Sequence, residues 1–399
     1  MRRMTIDDLN FSGRKALMRV DFNVPLNEHG EISNDYRIVS TLPSIKKILN
    51  DGGSVICMSH LGRPKGEQKP EFSLKPVQSR LAELLGVKVH FAPDCIGEEA
   101  IKLSKALQPG EILLLENLRF YKEEEKNGAD FSKKLATLGD VYVNDAFGTS
   151  HRAHASTVGV TEYFDQIISG YLLEKELIYL KDKMEAPERP YSAILGGAKI
   201  SGKIDTINFM IGKVDNLIIG GGMAYTFYKA MGREIGSSLL EEDKIELAAE
   251  IIEKAKAANV NLLLPVDNIV APEFKNESPA TVVSADGIPA EQMGLDIGPA
   301  TIALFGKIIL NSKTILWNGP MGVFEFENFA GGTNAVAKLL AEATASGAVT
   351  VVGGGDSVAA VKKGGFNKKM SHVSTGGGAS LELLSGLTLP AVAKITMIE

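Results

Sequence analysis

The chain is short of cysteine, of positive charge and of long apolar runs, and each shortage removes a class of protein. Cys57 and Cys95 are its only cysteines; two cannot build a disulfide framework and match no paired metal-ligand spacing, so a reducing compartment is expected, with both thiols in a core. Lys and Arg number 43 against 49 Asp and Glu, a net charge of −6, which argues against nucleic-acid binding through bulk positive charge. Any anion site must therefore be a local basic cluster. No apolar stretch approaches the roughly 18 residues that span a bilayer. The N-terminal residues carry Arg2, Arg3, Asp7 and Asp8 with no apolar run behind them, so no secretion signal is expected and a soluble cytoplasmic protein is.

What is present is glycine and alternation. Gly contributes 41 of 399 residues, about 10% against a usual roughly 7%, so tight backbone turns are over-represented. The length suits two or three domains. Short β-rich runs at 15–21, 54–59, 87–91, 111–115 and 140–143 alternate with helix-period segments, and a second series follows at 192–195, 216–219, 261–265, 314–317, 349–352 and 371–374. This is the pattern of parallel strands joined by crossover helices. Between the series, residues 171–184 lack Gly and Pro and read as one helix, roughly 20 Å long at about 1.5 Å per residue. The fold class is α/β: two Rossmann-like parallel-sheet lobes, each a three-layer αβα sandwich, joined by a helix, with a hinged cleft expected between them.

Polar and glycine-rich motifs follow the strands, where open α/β sheets place their ligand crevices. In the first series these positions carry Asp21, Asn23, His60, Arg63, Arg119, His151, Arg152 and His154, with Arg37 opening a helix pattern. Arginine forks bind carboxylate and phosphate oxygens bidentately, so such a set suits a small, multiply charged anion; scattered surface ion pairs are the plainer alternative. The three histidines lack the companion carboxylates or thiolates of a zinc site.

In the second series the turns are Gly196-Gly197-Ala198-Lys199, Gly220-Gly221-Gly222, Gly353-Gly354-Gly355-Asp356-Ser357 and Gly376-Gly377-Gly378. Glycine lets backbone N–H groups approach phosphate oxygens at a helix start, although tight strand-to-helix connections also need it. Residues 197–203 satisfy G-x-x-x-x-G-K, but Ile204 stands where a P-loop requires Ser or Thr, and no G-x-G-x-x-G opens either lobe. Asp356 suits either a magnesium ligand or a helix N-cap. Trp317 reads as a core residue.

Arg19-Val20-Asp21-Phe22-Asn23-Val24-Pro25, Ser59-His60-Leu61-Gly62-Arg63-Pro64, Leu115-Glu116-Asn117-Leu118-Arg119-Phe120 and His151-Arg152-Ala153-His154-Ala155-Ser156 resemble the substrate-lobe motifs of phosphoglycerate kinases. Residues 195–199, 317–325, 353–357 and 374–380 resemble the family's nucleotide-lobe motifs, in the family's order. The resemblance implies reversible transfer of the acyl phosphate of 1,3-bisphosphoglycerate to ADP, giving 3-phosphoglycerate and ATP, with Mg²⁺, in glycolysis. It assigns Asp21, Phe22, Asn23, Arg37, His60, Leu61, Gly62, Arg63, Arg119 and Arg152 to the phosphoglycerate. Gly196, Lys203, Gly220, Gly294, Asn318, Glu325, Gly354, Gly355, Asp356 and Ser357 go to the nucleotide, with Asp356 on the metal. Arg37, Lys199 and Gly377 fall around the transferred group. It further implies a phosphoglycerate lobe at 1–170 plus 387–399, an interdomain helix at 171–186, a nucleotide lobe at 187–386, and a monomer that binds neither membrane nor nucleic acid. Two positions depart from the family pattern: Ser385, where an acidic residue is usual, and Gly202, where Ala or a polar residue is usual. A different nucleotide-dependent kinase or ligase, or a non-catalytic two-lobed binding protein, are the competing classes.

Overall fold

The structure, a computed structural model, describes residues Met1 to Glu399. It divides into two compact units, Met1–Ile178 with Thr388–Glu399, and Tyr179–Leu387.

The first unit is built on β1 (Lys15–Val20), β2 (Ser54–Met58), β3 (Val89–Ala92), β4 (Ile112–Leu115), β5 (Val141–Asp145) and β6 (Ile167–Ser169). They form one parallel sheet in the order β3-β4-β2-β1-β5-β6. Its helices include α1 (Tyr36–Asn50), α2 (Lys75–Leu85), α3 (Glu98–Ala106), α4 (Ala129–Ala136) and α5 (Tyr171–Leu177). Strand alternation explains the layering. Ala16, Met18 and Val20 pack on one face with Ile38, Ile45 and Ile48 of α1 and Val77 and Leu81 of α2. Leu17, Ile56, Leu113 and Tyr142 pack on the other with Ala100 of α3 and Phe131 and Leu135 of α4. Because both faces are covered, the strands read as continuous apolar runs. The C-terminal residues return to this unit: Arg2–Arg3 pairs antiparallel with Met397–Ile398, and Thr396 N–H donates to Ile167 O at 3.0 Å.

The second unit contains β7 (Tyr191–Leu195), β8 (Asn216–Ile219), β9 (Asn261–Leu263), β10 (Asp267–Ala271), β11 (Thr281–Ser284), β12 (Met293–Ile297), β13 (Thr314–Asn318), β14 (Val349–Gly353) and β15 (His372–Val373). The parallel sheet runs β9-β8-β7-β13-β14-β15, and β11-β10-β12 form a separate antiparallel sheet. Helices α6 (Ile204–Ile211), α7 (Met223–Ala230), α8 (Ile245–Ala257), α9 (Pro299–Asn311), α10 (Gly331–Ala345), α11 (Gly355–Lys363) and α12 (Gly378–Leu384) complete it. Trp317 is fully buried among Ile194, Ile315, Phe305 and Leu340.

Two expectations need amendment, and one sheet was not foreseen. The segment 171–184 is α-helical over Tyr171–Leu177, π-helical over Ile178–Asp182 and α-helical again over Lys183–Glu185. The strand expected at 87–91 is displaced to Val89–Ala92. The antiparallel sheet was not anticipated, because β11 is almost wholly exposed and lacks an apolar run.

Candidate active site

In the first unit the carboxyl ends of β1, β2, β4 and β5 bring the basic set together. Arg37, in the first turn of α1, donates from Nη1 to Asp21 Oδ2 at 2.8 Å. His60 Nδ1 lies 4.0 Å from Asp21 Oδ1 and 3.3 Å from an Arg19 nitrogen. Phe22 N–H donates to Ser59 Oγ at 2.8 Å, and Gly62 N–H to Asn23 Oδ1 at 2.9 Å, so the loops after β1 and β2 are tied to each other. Gly62 adopts φ +61, and a Cβ there would meet the Phe72 ring at 2.4 Å. Arg119 donates to Gly62 O at 2.9 Å, and Asn117 Nδ2 to Leu61 O at 2.7 Å. Arg152 is half-buried beside His151, its Nε donating to His151 Nε2 at 3.2 Å. Arg63 stands exposed on the next residue of the loop.

Burial holds His60 well below its ordinary pKa, and the charges of Arg19, Arg119 and Arg37 push the same way. His154 is brought to about 4 by burial and by Arg119, Arg19 and Arg152. Both rings are neutral near pH 7, so the fixed positive charge of this site is arginine.

Beneath it lies a layer that the sequence does not announce. Arg19 is fully buried; its Nε donates to Ser156 Oγ at 2.8 Å, and that hydroxyl donates to Glu124 Oε1 at 2.6 Å. Glu124 also accepts Ser156 N–H at 2.9 Å. Glu124 belongs to a Lys-Glu-Glu-Glu-Lys run that reads as solvated surface, yet it has no exposed area. Desolvation raises its pKa, while Arg19 and the two Ser156 bonds favour the carboxylate.

In the second unit the glycine turns interlock after β7, β8 and β13. A Cβ on Gly196 would lie 2.2 Å from Pro320 O, one on Gly220 2.5 Å from Met321 Sδ, and one on Gly221 2.6 Å from backbone atoms of Gly197. Lys199 is exposed on the same loop. Lys203 Nζ donates to Asn318 Oδ1; burial lowers its pKa to about 8, against the pull of Asp356. Asn318 Nδ2 is buried without a partner. Gly354, at φ +84, leaves room for that amide, which a Cβ would approach to 3.1 Å. Ser357 Oγ accepts Gly319 N–H. Gly355 and Asp356 open α11 with Gly354 as N-cap, so Asp356 is not the capping residue and its carboxylate is exposed. Gly377 (φ +47) caps α12, and Gly353 at the end of β14 faces Ser380 of that helix.

These turns border a cavity of about 500 Å³. Gly197, Gly294, Glu325 and Asp356 line it, with Val323 of the 317–325 motif and with Leu239, Phe274, Met293 and Leu295, which were not anticipated. Phe274 and Met293 belong to the antiparallel sheet or the loop within it, and so were missed with it. Of the two departures, Ser385 bonds Thr206 Oγ1 at 2.8 Å, and Gly202 has open space where a Cβ would go. The turn containing Gly202 is tied by Ser201, whose hydroxyl donates to Glu241 at 2.5 Å.

Comparison with known proteins follows the same two groups of motifs. The family model described as phosphoglycerate kinase matches residues 6–387. A "Phosphoglycerate kinase" of Chlorobium luteolum is 57% identical over 395 residues, covering 99% of this chain and 100% of the relative. One of Chloroherpeton thalassium is 56% identical over 396 residues, with the same coverage. Among solved structures, phosphoglycerate kinase from Coxiella burnetii superposes with a TM-score of 0.90 at 42% identity, covering 98% of both chains. The Pyrococcus horikoshii enzyme gives 0.83 at 31%, also covering 98% of both.

Proposed function

The chain belongs to the phosphoglycerate kinase family, a family of phosphotransferases with a carboxyl acceptor, and from that premise we propose that it reversibly transfers the acyl phosphate of 1,3-bisphosphoglycerate to ADP, giving 3-phosphoglycerate and ATP. The observation that carries the reading is the arginine set, with Arg37 anchored on Asp21, held beside the neutral His60 and His154 in a chain of net charge −6. Such a site selects a small polyanion by fixed charge at any pH near 7.

In this proposal residues 1–170 with 387–399 are the phosphoglycerate lobe, 171–186 the interdomain helix, and 187–386 the nucleotide lobe. Asp21, Phe22, Asn23, Arg37, His60, Leu61, Gly62, Arg63, Arg119 and Arg152 hold the glycerate and its phosphate. The glycine-walled cavity takes the nucleoside, with Gly294 and Glu325 at its wall. Gly196, Lys203, Gly220, Asn318, Gly354, Gly355 and Ser357 face the phosphate chain, where the unpartnered Asn318 amide is a ready donor.

The donor chemistry also fits Mg²⁺. Asp356 offers an exposed carboxylate on the cavity wall, a hard oxygen ligand suited to a cation shared with phosphate oxygens. Bound there with the nucleotide, the ion would neutralise charge on the phosphate chain.

Phosphoryl transfer asks for alignment and charge stabilisation, not for a protein nucleophile. Arg37 and Lys199 supply charge to the transferring group, and the backbone at Gly377 supplies a donor. Direct in-line transfer on hinge closure, which excludes water, completes the reading. We further propose a cytoplasmic monomer; no helix is long and apolar enough to cross a membrane.

The test is a coupled assay with 3-phosphoglycerate, MgATP, glyceraldehyde-phosphate dehydrogenase and NADH. NADH loss that requires both 3-phosphoglycerate and MgATP is the expected result. A folded protein that binds both and turns over neither would overturn the reading in favour of a different acceptor or a binding role.

A further inference from the structure

Four tyrosines are buried: Tyr142, Tyr191, Tyr225 and Tyr228. Three of their hydroxyls are paired inside the protein. Tyr142 donates to Ser156 O at 2.8 Å, Tyr228 to Pro265 O at 2.8 Å, and Tyr191 contacts Met184 Sδ at 3.3 Å. Tyr225, on α7, is only 4% exposed and is the exception: its hydroxyl has no protein partner. Its oxygen is not fully enclosed, and a hydroxyl that no protein group satisfies is open to a ligand or water.

The surroundings say where the hydroxyl looks. Tyr225 lines the 500 Å³ cavity. A Cβ placed on Gly294, another lining residue, would lie 2.0 Å from the tyrosine oxygen, so the glycine leaves the hydroxyl its place at the wall. The Tyr225 ring is held edge-on by Tyr228, with centroids 5.8 Å apart, so the oxygen is fixed in position. Nearby main-chain groups are already engaged: Gly294 N–H with Ser238 Oγ at 2.9 Å, and Val323 N–H with Leu295 O at 2.8 Å. Met293, Leu295, Val323, Leu239 and Phe274 line the same cavity and are apolar, and Ser237, Glu325 and Asp356 are its polar side chains beside Tyr225. A largely apolar slot with a few fixed polar groups is how a flat heteroaromatic ring is gripped and oriented.

We propose that the Tyr225 hydroxyl is a base-reading group, hydrogen-bonding one polar atom on the edge of the nucleobase. The inference rests on the nucleotide reading of the cavity. A hydroxyl both donates and accepts, so it rewards any base that presents a polar atom at that point and disfavours one that does not.

The experiment is calorimetric titration of MgADP, and of ADP analogues each lacking one polar base atom (1-deaza, 3-deaza, 7-deaza and 6-deamino), into the wild-type protein and Tyr225→Phe. Phenylalanine keeps the ring and its packing, and a thermal melt checks the fold. Tyr225→Phe is expected to weaken MgADP about 5- to 10-fold. One analogue should bind wild type comparably weakly and lose nothing further in the variant, and competition by tripolyphosphate should be unchanged. Equal MgADP affinity in the two proteins, or the same loss for every analogue, would overturn the proposal while leaving the nucleotide site intact. Failure of MgADP to bind wild type at all would instead remove the nucleotide reading on which it rests.

Discussion

The two units, each proposed to hold phosphate oxygens, are built for it from different materials. The first uses side-chain charge, and it braces that charge from below: Arg37 on Asp21, Arg19 on Ser156, Ser156 on Glu124. The second uses main chain, with turns so closely nested that a single methyl would collide at Gly196, Gly220 or Gly221. Charge placed on long side chains needs a second layer to fix it, whereas main-chain donors are fixed by the fold itself. The difference teaches where each site is vulnerable: the first to loss of a buried partner, the second to gain of a single Cβ.

The sharpest way to break this comparison is to remove, one unit at a time, the charge proposed to meet the transferring group. Arg37→Ala and Lys199→Ala are each expected to lower kcat by about 10²–10³ with the fold retained, as read by the coupled assay and a melting curve; wild-type kcat in either folded variant would detach that lobe from the chemistry. Next comes Gly354→Ala. Its φ of +84 and the 3.1 Å approach to Asn318 impose strain of order 1–3 kcal/mol, so the nucleotide KM should rise about tenfold with the 3-phosphoglycerate KM unmoved. Glu124→Gln should do the reverse by a smaller factor, on the order of fivefold. Gln cannot accept both Ser156 bonds, so Arg19 loosens; equal changes in both KM values would mean that Glu124 serves stability alone.

The smallest effect is a matter of pH. His154 is neutral in the folded protein down to about pH 4, while an unfolded chain protonates it near its ordinary 6.5. Between those values the unfolded state binds more protons, so this group's contribution to stability falls as pH drops from 6.5 toward 4 and then levels. An NMR titration of the ring should find no midpoint near 6.5.

Much of this contrast is legible in the sequence, for reasons that particular residues show. Strands buried on both faces advertise themselves: 216–219 coincides with Asn216–Ile219, and 314–317 falls one residue short of Thr314–Asn318. The glycine turns are legible because close main-chain approaches leave few other choices of residue. Glu124 is not, because its neighbours in the chain are solvated and only the tertiary packing of Ser156 and Arg19 buries it. Tyr225 is hidden for the opposite reason, lying in Met-Ala-Tyr-Thr-Phe-Tyr, where an aromatic reads simply as core. The short strand β6 carries too few residues to show a period, and the exposed strand β11 shows no apolar face.

The pairing of Arg2–Arg3 with Met397–Ile398 has a consequence for how the molecule is made. The first unit is interrupted in the gene by the second, so a ribosome delivers all six strands of one sheet, then the whole of another, and only afterwards the segment that pairs with Arg2–Arg3. The sheet of the second unit is complete once His372–Val373 has emerged, before its neighbour's last strand exists. With residues 2–3 and 397–398 on adjacent strands, a short linker could join them and the chain be reopened elsewhere, in a permuted gene whose first-formed unit is one of choice.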